Sequence, residues 1–164
     1  MFGYTGNVLY VDLTVGKSKV EHISEELCKK YLGGVGLATR LLYDLNPPNV
    51  DPLSPDNTLV FALGAFAGTV VPTGSKHGIA AKSPLTGFIG DSLASSFWSQ
   101  ALRRAGYDAV AIKGRAEKPT YLFIDDNIVQ FRDAKHLWGK GCLETDNLVK
   151  EEIGDETTSV SCIG

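Results

Sequence analysis

The sequence predicts an α+β fold in which a duplicated α+β unit builds two β-sheets with flanking helices. Short segments rich in β-branched and aromatic residues alternate with longer segments of helical periodicity. The order hairpin, helical region, loop and apolar strand occurs over residues 4–66 and again over residues 119–164. This recurrence indicates two divergent copies of one unit. With 164 residues, of which 43% are hydrophobic and 21% charged, the chain is long enough to bury a core.

The first unit is predicted to contain a hairpin, two helices and a strand. Residues 7–23 form two β-rich runs joined by the turn TVGKS, which indicates a hairpin. Ser24 can cap a helix whose first turn is acidic and which is expected to stop at Gly33–Gly34. A second helix is expected over residues 36–45, because its leucines lie on one face. The apolar run over residues 57–66 predicts a buried strand.

Beyond a glycine-rich central segment, the chain predicts another helix and another strand. The helix in SSFWSQALRRAGYD is expected to have Ser95 or Ser92 as its N-cap and Gly106 as its C-terminal stop. Residues 109–114 then form a predicted strand that ends in glycine.

The second unit is predicted as a hairpin, a helix and a final strand. The hairpin turns at Asp126–Asn127, the helix closes at Gly154, and the apolar run over residues 158–164 is the strand. Chain ends usually lie in exposed polar segments. An apolar strand at the end therefore predicts that the chain is part of a longer polypeptide.

Composition excludes several classes of function. A net charge of −3 argues against general nucleic-acid binding, and no apolar run is long enough for a membrane span. The N-terminus has no basic region of the signal-peptide type, so we expect a cytoplasmic protein. Three cysteines without CxxC spacing predict no cysteine-held metal within the chain. We interpret all three as small apolar residues: Cys28, Cys142 and Cys162.

The segment between Asp56 and Asp91 is the most unusual part of the sequence. Its 34 residues contain no Asp or Glu, but they include six glycines, six Ser or Thr residues and two lysines, Lys76 and Lys82. Glycine lets backbone N–H groups approach a ligand, and lysine supplies charge for phosphate. The segment thus predicts a cradle for a phosphorylated ligand. The alternative is a buried crossing between the two halves, with glycines for packing and lysines in solvent.

Other candidate motifs are weaker. The small residues 94–96 at a helix N-terminus suit an anion, although an ordinary capped helix explains them as well. The run LGGVGLA at 32–38 is not a dinucleotide loop, because a helix precedes it and Thr39 stands at the third glycine position. A helix–helix corner is its predicted role. No histidine has nucleophile or metal-ligand spacing, and we expect structural or solvent-facing roles for His22, His77 and His136.

Six segments together resemble the N-terminal domain of the aldehyde ferredoxin oxidoreductase family. They are TGNVLYVDLTVGK, KYLGGVGLATRLLYD, DPLSPDNTLVFALGAFAGT, PTGSK, AKSPLTGFIGDS and AGYDAVAIKGRAEKP, in this order. The resemblance implies that residues 1–164 are the pterin-binding domain of a longer enzyme. It also implies tungsten, or molybdenum, on two pterins whose phosphates share magnesium, and a 4Fe–4S cluster with ligands downstream of residue 164. Members of the family oxidise aldehydes to carboxylic acids and reduce ferredoxin.

The resemblance also assigns binding residues, but no catalytic residue, to this chain. Lys76 stands where the family has a basic residue, often arginine, and residues 93–96 stand where many members have Asn-Ser-Gly-Gly. Val35 departs from a common LGGRG. The implied cofactor-binding residues are Gly74, Ser75, Lys76, Leu93, Ala94, Ser95 and Ser96, and the main chain of Leu93 is the implied contact to magnesium.

The implied partners are the downstream domains of the same enzyme, ferredoxin and an aldehyde substrate. A homodimer is left open, and the chain alone is expected to be inactive. Two alternatives compete with this interpretation. One is a non-catalytic remnant or assembly domain that folds and self-associates without cofactor. The other is a generic phosphate-ligand binder, which is disfavoured because the phosphate-loop motif is missing.

Overall fold

A mixed six-stranded β-sheet forms the centre of the protein in the computed structural model, which describes residues 3–163. The strands are β1 (Asn7–Asp12), β2 (Lys17–His22), β3 (Leu59–Leu63), β4 (Lys76–Lys82), β5 (Ile89–Ser95) and β6 (Ala109–Lys113). They lie in the order β2-β1-β6-β3-β4-β5. β1 and β6 are parallel, and the other neighbouring pairs are antiparallel.

A second sheet and four α-helices surround this centre. The second sheet is the antiparallel hairpin of β7 (Thr120–Asp125) and β8 (Ile128–Asp133). The helices are α1 (Glu25–Tyr31), α2 (Gly34–Leu45), α3 (Phe97–Arg104) and α4 (Cys142–Ile153), with a 3₁₀ turn at Lys135–Leu137. The predicted α+β class, with two sheets and flanking helices, is confirmed. Among residues 3–163, no helix is both long and apolar enough to cross a bilayer.

The six-stranded sheet has an apolar layer on each face. On one face, Leu37, Leu41 and Leu42 of α2 pack against small and branched side chains of the strands. On the other face, Leu102 of α3 and the hairpin β7–β8 pack against a cluster that includes Leu9. Burial of one such leucine contributes about 1.5–3 kcal/mol, so these two layers hold the sheet between its helices and the hairpin.

The predicted limits of the helices in the first unit are correct to within a few residues. The Ser24 hydroxyl caps α1 by accepting from the Leu27 N–H at 3.1 Å, as expected. α1 ends before the two glycines, because Leu32 adopts the left-handed conformation at φ 57°. α2 begins at Gly34, two residues earlier than predicted. β3 is shorter than predicted, since Asn57 is engaged in loop hydrogen bonds to Pro52 and Lys82.

The predicted final strand is wrong over the described residues. After Gly154 the chain has no strand up to residue 163, and Val160 packs instead against a small cluster with Val149 and Leu137. A strand needs a neighbour to pair with. Within the described part of the chain, β7 and β8 pair only with each other. The second predicted unit therefore has its hairpin and helix here, but not its strand.

Candidate functional site

The carboxylate-free segment forms strands where the sequence suggested a loop. Residues 76–82 and 89–95 are the antiparallel pair β4–β5, and only residues 64–75 and 83–88 connect strands. The strands were missed because KHGIAAK and IGDSLAS contain few β-branched or aromatic residues. His77, which we expected in the loop, lies in β4.

Strand pairing brings the predicted cofactor-binding residues together. Lys76 lies opposite Ser95 in the register of β4 and β5, and its Nζ donates to Ser95 Oγ at 3.0 Å. The Ser75 hydroxyl donates to the carbonyl of Ser96 at 2.6 Å. The remaining three lie beside these pairs: Gly74 precedes Ser75, Ala94 lies opposite His77, and Leu93 lies opposite Gly78. We call this group the β4–β5 cluster.

The β4–β5 cluster lies on an open surface of the chain. β5 is an edge strand of the sheet, and residues 91–97 are exposed. Lys76 is exposed and Ser75 is half-buried. Beside Ser96 runs a groove of about 530 Å³ between the start of α3 and residues 156–160. The segment in which we predicted a cradle thus presents an accessible strand edge with a groove next to it.

The N-terminus of α3 already has a side-chain cap. Ser96, and not Ser95 or Ser92 as predicted, is the N-cap, and its hydroxyl accepts from the Trp98 N–H at 3.2 Å. This hydroxyl satisfies one of the N–H groups that we expected to face an anion. Phe97, the first residue of α3, is 77% exposed.

The N-terminus of α2 also lies near the cluster, because it packs on β4. The helix–helix corner predicted for residues 32–38 is confirmed, and α2 starts there with a glycine N-cap that has no side-chain bond. The corner packs directly on β4, because a Cβ added to Gly78 would lie 2.4 Å from the Val35 nitrogen. The partial positive charge at the start of α2 thus lies near Leu93, the strand partner of Gly78.

Packing within the fold accounts for some of the glycines in the carboxylate-free segment, and a backbone contact accounts for one of its two lysines. Added Cβ atoms would come within 2.8 Å of Arg103 at Gly68 and within 2.8 Å of Phe66 at Gly74. Lys82 is not part of the site, because it lies at the far end of β4, about 20 Å along the strand from Lys76. Its Nζ donates to the Val50 carbonyl at 2.6 Å. Lys76 is therefore the lysine of this segment that lies at the cluster.

His77 joins the strand of Lys76 to helix α3. It is only 3% exposed, its Nδ1 lies 2.7 Å from Ser99 Oγ, and its ring centroid is 4.8 Å from that of Trp98. Burial lowers the pKa of His77 below its ordinary value, which favours the neutral imidazole. The expected structural role of this histidine is confirmed, although its partner Ser99 was not foreseen.

A buried ion pair anchors the loop that leads into the cluster. Arg103 forms an ion pair with Asp108 and also donates to the carbonyls of Gly64 at 3.1 Å and Ala67 at 3.3 Å. Burial lowers the pKa of Arg103, but a guanidinium remains charged in proteins. Sequence reasoning missed this pair. Arg103 lies in the last turn of α3 and Asp108 directly precedes β6, so no local sequence pattern links the two residues.

The cysteines and acidic residues do not assemble a metal centre in the part of the chain that is described. Within residues 3–163, no three His, Cys, Asp or Glu side chains are grouped in a metal-binding arrangement. Cys28 is buried, as predicted for a small apolar residue. The same prediction is wrong for Cys142 and Cys162, which are both exposed.

Comparison with known proteins places this architecture among large oxidoreductases. A tungsten-containing aldehyde ferredoxin oxidoreductase of Pyrococcus furiosus is 44% identical over 164 residues, which are 100% of this chain and 27% of that relative. The WOR-like subunit of an aliphatic sulfonate oxidoreductase from the same organism is 38% identical over 159 residues, or 95% of this chain and 25% of the relative.

A solved structure has the same fold. It is the active site complex BamBC of benzoyl coenzyme A reductase with 1,5 dienoyl-CoA, with a TM-score of 0.90 and 37% identity. The match covers 94% of this chain and 24% of that one. The chain thus spans about a quarter of the length of the relatives it matches. Residues 8–164 match the family description "Aldehyde ferredoxin oxidoreductase, N-terminal domain", so the chain belongs to the aldehyde ferredoxin oxidoreductase family.

Proposed function

We propose that this chain is the N-terminal domain that binds a tungsten or molybdenum bis-pterin cofactor in a larger cytoplasmic oxidoreductase. One observation supports this proposal most strongly. Lys76 and three serine residues converge on an accessible strand edge. Lys76 and Ser75 belong to the segment without Asp or Glu between Asp56 and Asp91, and Ser95 and Ser96 follow Asp91 at the end of β5. A phosphate group needs donors and positive charge without nearby anions, and the β4–β5 cluster offers that combination.

The residues present fit the phosphate end of a pterin cofactor. The Lys76 ammonium and the Ser95 hydroxyl supply donors, and Gly74 leaves the adjacent backbone without a side chain. The Ser75 hydroxyl is bonded to the Ser96 carbonyl and so holds the two segments together. Since β5 is an edge strand, some of its backbone carbonyl groups point away from β4 and are not bonded to another strand of the sheet. In the proposal, the Leu93 carbonyl contacts magnesium, and residues 94–96 contact phosphate.

The cofactor, when bound, supplies two-electron redox chemistry at its metal. This chain's residues bind and orient it. His77 and Ser99 hold β4 against α3 without adding a second charge beside Lys76, since the neutral imidazole is favoured. Ligands for a 4Fe–4S cluster would come from outside this chain, because residues 3–163 group no suitable set.

Oxidation of an aldehyde to a carboxylic acid, with ferredoxin as acceptor, is the reaction that we propose for the whole enzyme. The sequence match to a protein named aldehyde ferredoxin oxidoreductase supports it, since the match extends over the full chain. Relatives named for sulfonate and benzoyl-CoA substrates share the same domain at 38% and 37% identity. We therefore assign the choice of substrate to residues beyond this domain.

Lys76 provides the test of cofactor binding. In the full-length enzyme, Lys76→Ala removes the one lysine of the cluster, whereas Lys76→Arg keeps the charge. Loss of a charge-assisted hydrogen bond worth about 1.5–3 kcal/mol should weaken cofactor retention roughly tenfold to a hundredfold. Metal per polypeptide by plasma mass spectrometry, and pterin by fluorescence after oxidation, measure the effect.

The matched control is Lys17→Ala, which removes an exposed lysine from β2 at the opposite edge of the same sheet. It should retain the metal and pterin content of the unmodified enzyme. Equal metal and pterin contents in Lys76→Ala and Lys17→Ala, with both proteins folded, would contradict the proposed role of the cluster.

An assembly domain without cofactor is the alternative that one observation favours. Large apolar side chains are exposed in and beside the cluster, including Val70 at 100%, Phe97 at 77% and Leu93 at 67%. An exposed apolar surface of this kind suits either docking of further domains or self-association. Light scattering of the enzyme depleted of metal and pterin separates the two: a cofactor-independent oligomer built on this face supports the alternative.

A further inference from the structure

The chain after α4 folds back along that helix. Val160 packs in the cluster that contains Val149 of α4. Thr158 and Val160 line the same groove as Asp146 and Lys150, which lie on successive turns of α4. The direction is opposite to that of the helix, because the segment leaves the C-terminus of α4 at Gly154. Two residues beyond Val160, Cys162 therefore reaches the first turn of α4.

Cys142 is the first residue of α4, and its thiol neighbours that of Cys162. Asp146, one turn further along the helix, also acts on the Cys162 thiol. Both side chains are exposed, whereas Cys28 is buried elsewhere. Gly141, the N-cap of α4, offers no side-chain cap, so the partial positive charge of the helix N-terminus acts on Cys142.

The two thiols differ in their surroundings. Burial raises the pKa of the Cys162 thiol, and the neighbouring Cys142 thiol contributes to this rise. The raised pKa makes Cys162 the poorer first nucleophile, so the exposed Cys142 thiol is assigned the first attack.

We propose that Cys142 and Cys162 are a redox modification site that forms a reversible intramolecular disulfide by exchange with a low-molecular-weight disulfide. The Cys142 thiolate attacks one sulfur of the small disulfide, the sulfur–sulfur bond breaks, and one small thiol leaves. The Cys162 thiolate then attacks the Cys142 sulfur of the mixed disulfide and releases the second small thiol. Two protein thiols are oxidised and one small disulfide is reduced to two thiols, with both protons carried by the released thiols.

The bond would close residues 142–162 into a loop and fix residues 155–162 against α4. Residues 156–160 form one wall of the groove beside Ser96, so oxidation would hold that wall in place. This site does not depend on the proposed cofactor, because neither cysteine belongs to the β4–β5 cluster.

The test is thiol exchange on the 164-residue chain, followed by thiol counting and mass spectrometry of a non-reduced digest. Incubation with oxidised glutathione should lower the free thiols from three to one. The digest should contain one peptide pair joined through Cys142 and Cys162, and dithiothreitol should restore all three thiols. Denaturant unfolding of the oxidised form should shift to a higher midpoint, since the cross-link constrains the unfolded chain.

Single substitutions make the experiment decisive. Cys142→Ser and Cys162→Ser should each abolish the joined peptide and the shift of the midpoint. Cys28→Ala, the control, should retain the joined peptide. Glutathione attached to both cysteines without a cross-link would overturn the proposal, as would a disulfide between two chains or no reaction in the folded protein.

Discussion

Gly78 lies where helix α2 meets strand β4, and the space for a side chain there is already filled by backbone. An added Cβ would lie 2.4 Å from the Val35 nitrogen and 2.7 Å from the Gly34 carbonyl carbon. Backbone atoms cannot rotate away as a flexible side chain can. Gly78→Ala should therefore lower the free energy of unfolding by about 1–3 kcal/mol, measured by urea unfolding followed by circular dichroism.

Gly64→Ala is the matched control, because Gly64 lies in the same region and has more space. A Cβ there would meet the Lys76 carbonyl oxygen at 3.4 Å, an ordinary contact. We expect its free energy of unfolding to stay within about 0.5 kcal/mol of the unmodified chain. Equal losses for both variants would show that α2 adjusts freely over β4.

Single residues also mark the limit of reasoning from sequence. Lys76 could be chosen as a candidate because it lies in a segment without carboxylates and in the motif PTGSK. Its contact with Ser95 could not be foreseen, since the two residues are 19 positions apart and meet only through strand pairing. The same holds for His77 and Ser99, which are 22 positions apart.

At the level of elements, the end of α1 offers a clean prediction. Leu32 holds the left-handed conformation at φ 57° while 68% of its side chain area is exposed. A non-glycine residue is strained there, and little packing is lost on its removal. Leu32→Gly should raise the free energy of unfolding by about 0.5–1 kcal/mol, visible as a higher urea midpoint.

The same replacement inside a helix should have the opposite sign. Leu143 is 83% exposed and lies in α4 with helical backbone. Leu143→Gly should lower the free energy of unfolding by about 1 kcal/mol, because glycine disfavours helix. If Leu32→Gly also destabilised the chain, the strain inferred at the end of α1 would be absent.

Elements with strong local signals were predicted well. Both predicted hairpins and the four α-helices of residues 3–163 follow from turn residues, capping residues and periodicity, with limits wrong by only a few residues. β4 and β5 were missed because sheet pairing, and not β-propensity, holds their small residues in place. The strand predicted over 158–164 was an error of the opposite kind, since an apolar run does not become a strand without a partner.

At the scale of the whole molecule, Asp108 joins parts of the chain that are far apart in sequence. Its carboxylate accepts from the Thr5 N–H at 3.0 Å and the Gly6 N–H at 2.6 Å, and it pairs with Arg103. Asp108→Ala would leave the buried guanidinium without its counter-charge. The free energy of unfolding should fall by about 3–5 kcal/mol, a large part of the stability of a domain.

An exposed ion pair provides the comparison. Asp44 pairs with Arg40 across one turn of α2 at 2.7 Å, with 40% and 36% of their side-chain areas exposed, far more than in the buried pair. Asp44→Ala should cost only about 0.3–0.5 kcal/mol in the same urea experiment. A loss of that small size for Asp108→Ala would mean that the buried pair does not anchor the N-terminal segment and the loop after β3.

The family could be predicted from sequence because its motifs are local, and the comparisons confirm it across residues 8–164. The arrangement of the site could not be predicted, because it depends on contacts between residues that local patterns do not connect. The contact between the α2 N-terminus and β4 is one example, since Val35 and Gly78 are far apart in the sequence.

The open strand β5 has a consequence for the behaviour of the chain in solution. An edge strand with unpaired backbone groups can recruit a strand from another molecule, and the apolar side chains Ile89 and Leu93 would favour such stacking. Asp91, in the middle of the strand, is its only charge, and two identical copies aligned there would repel each other. A further domain or partner that covered this edge would therefore also protect the protein against aggregation.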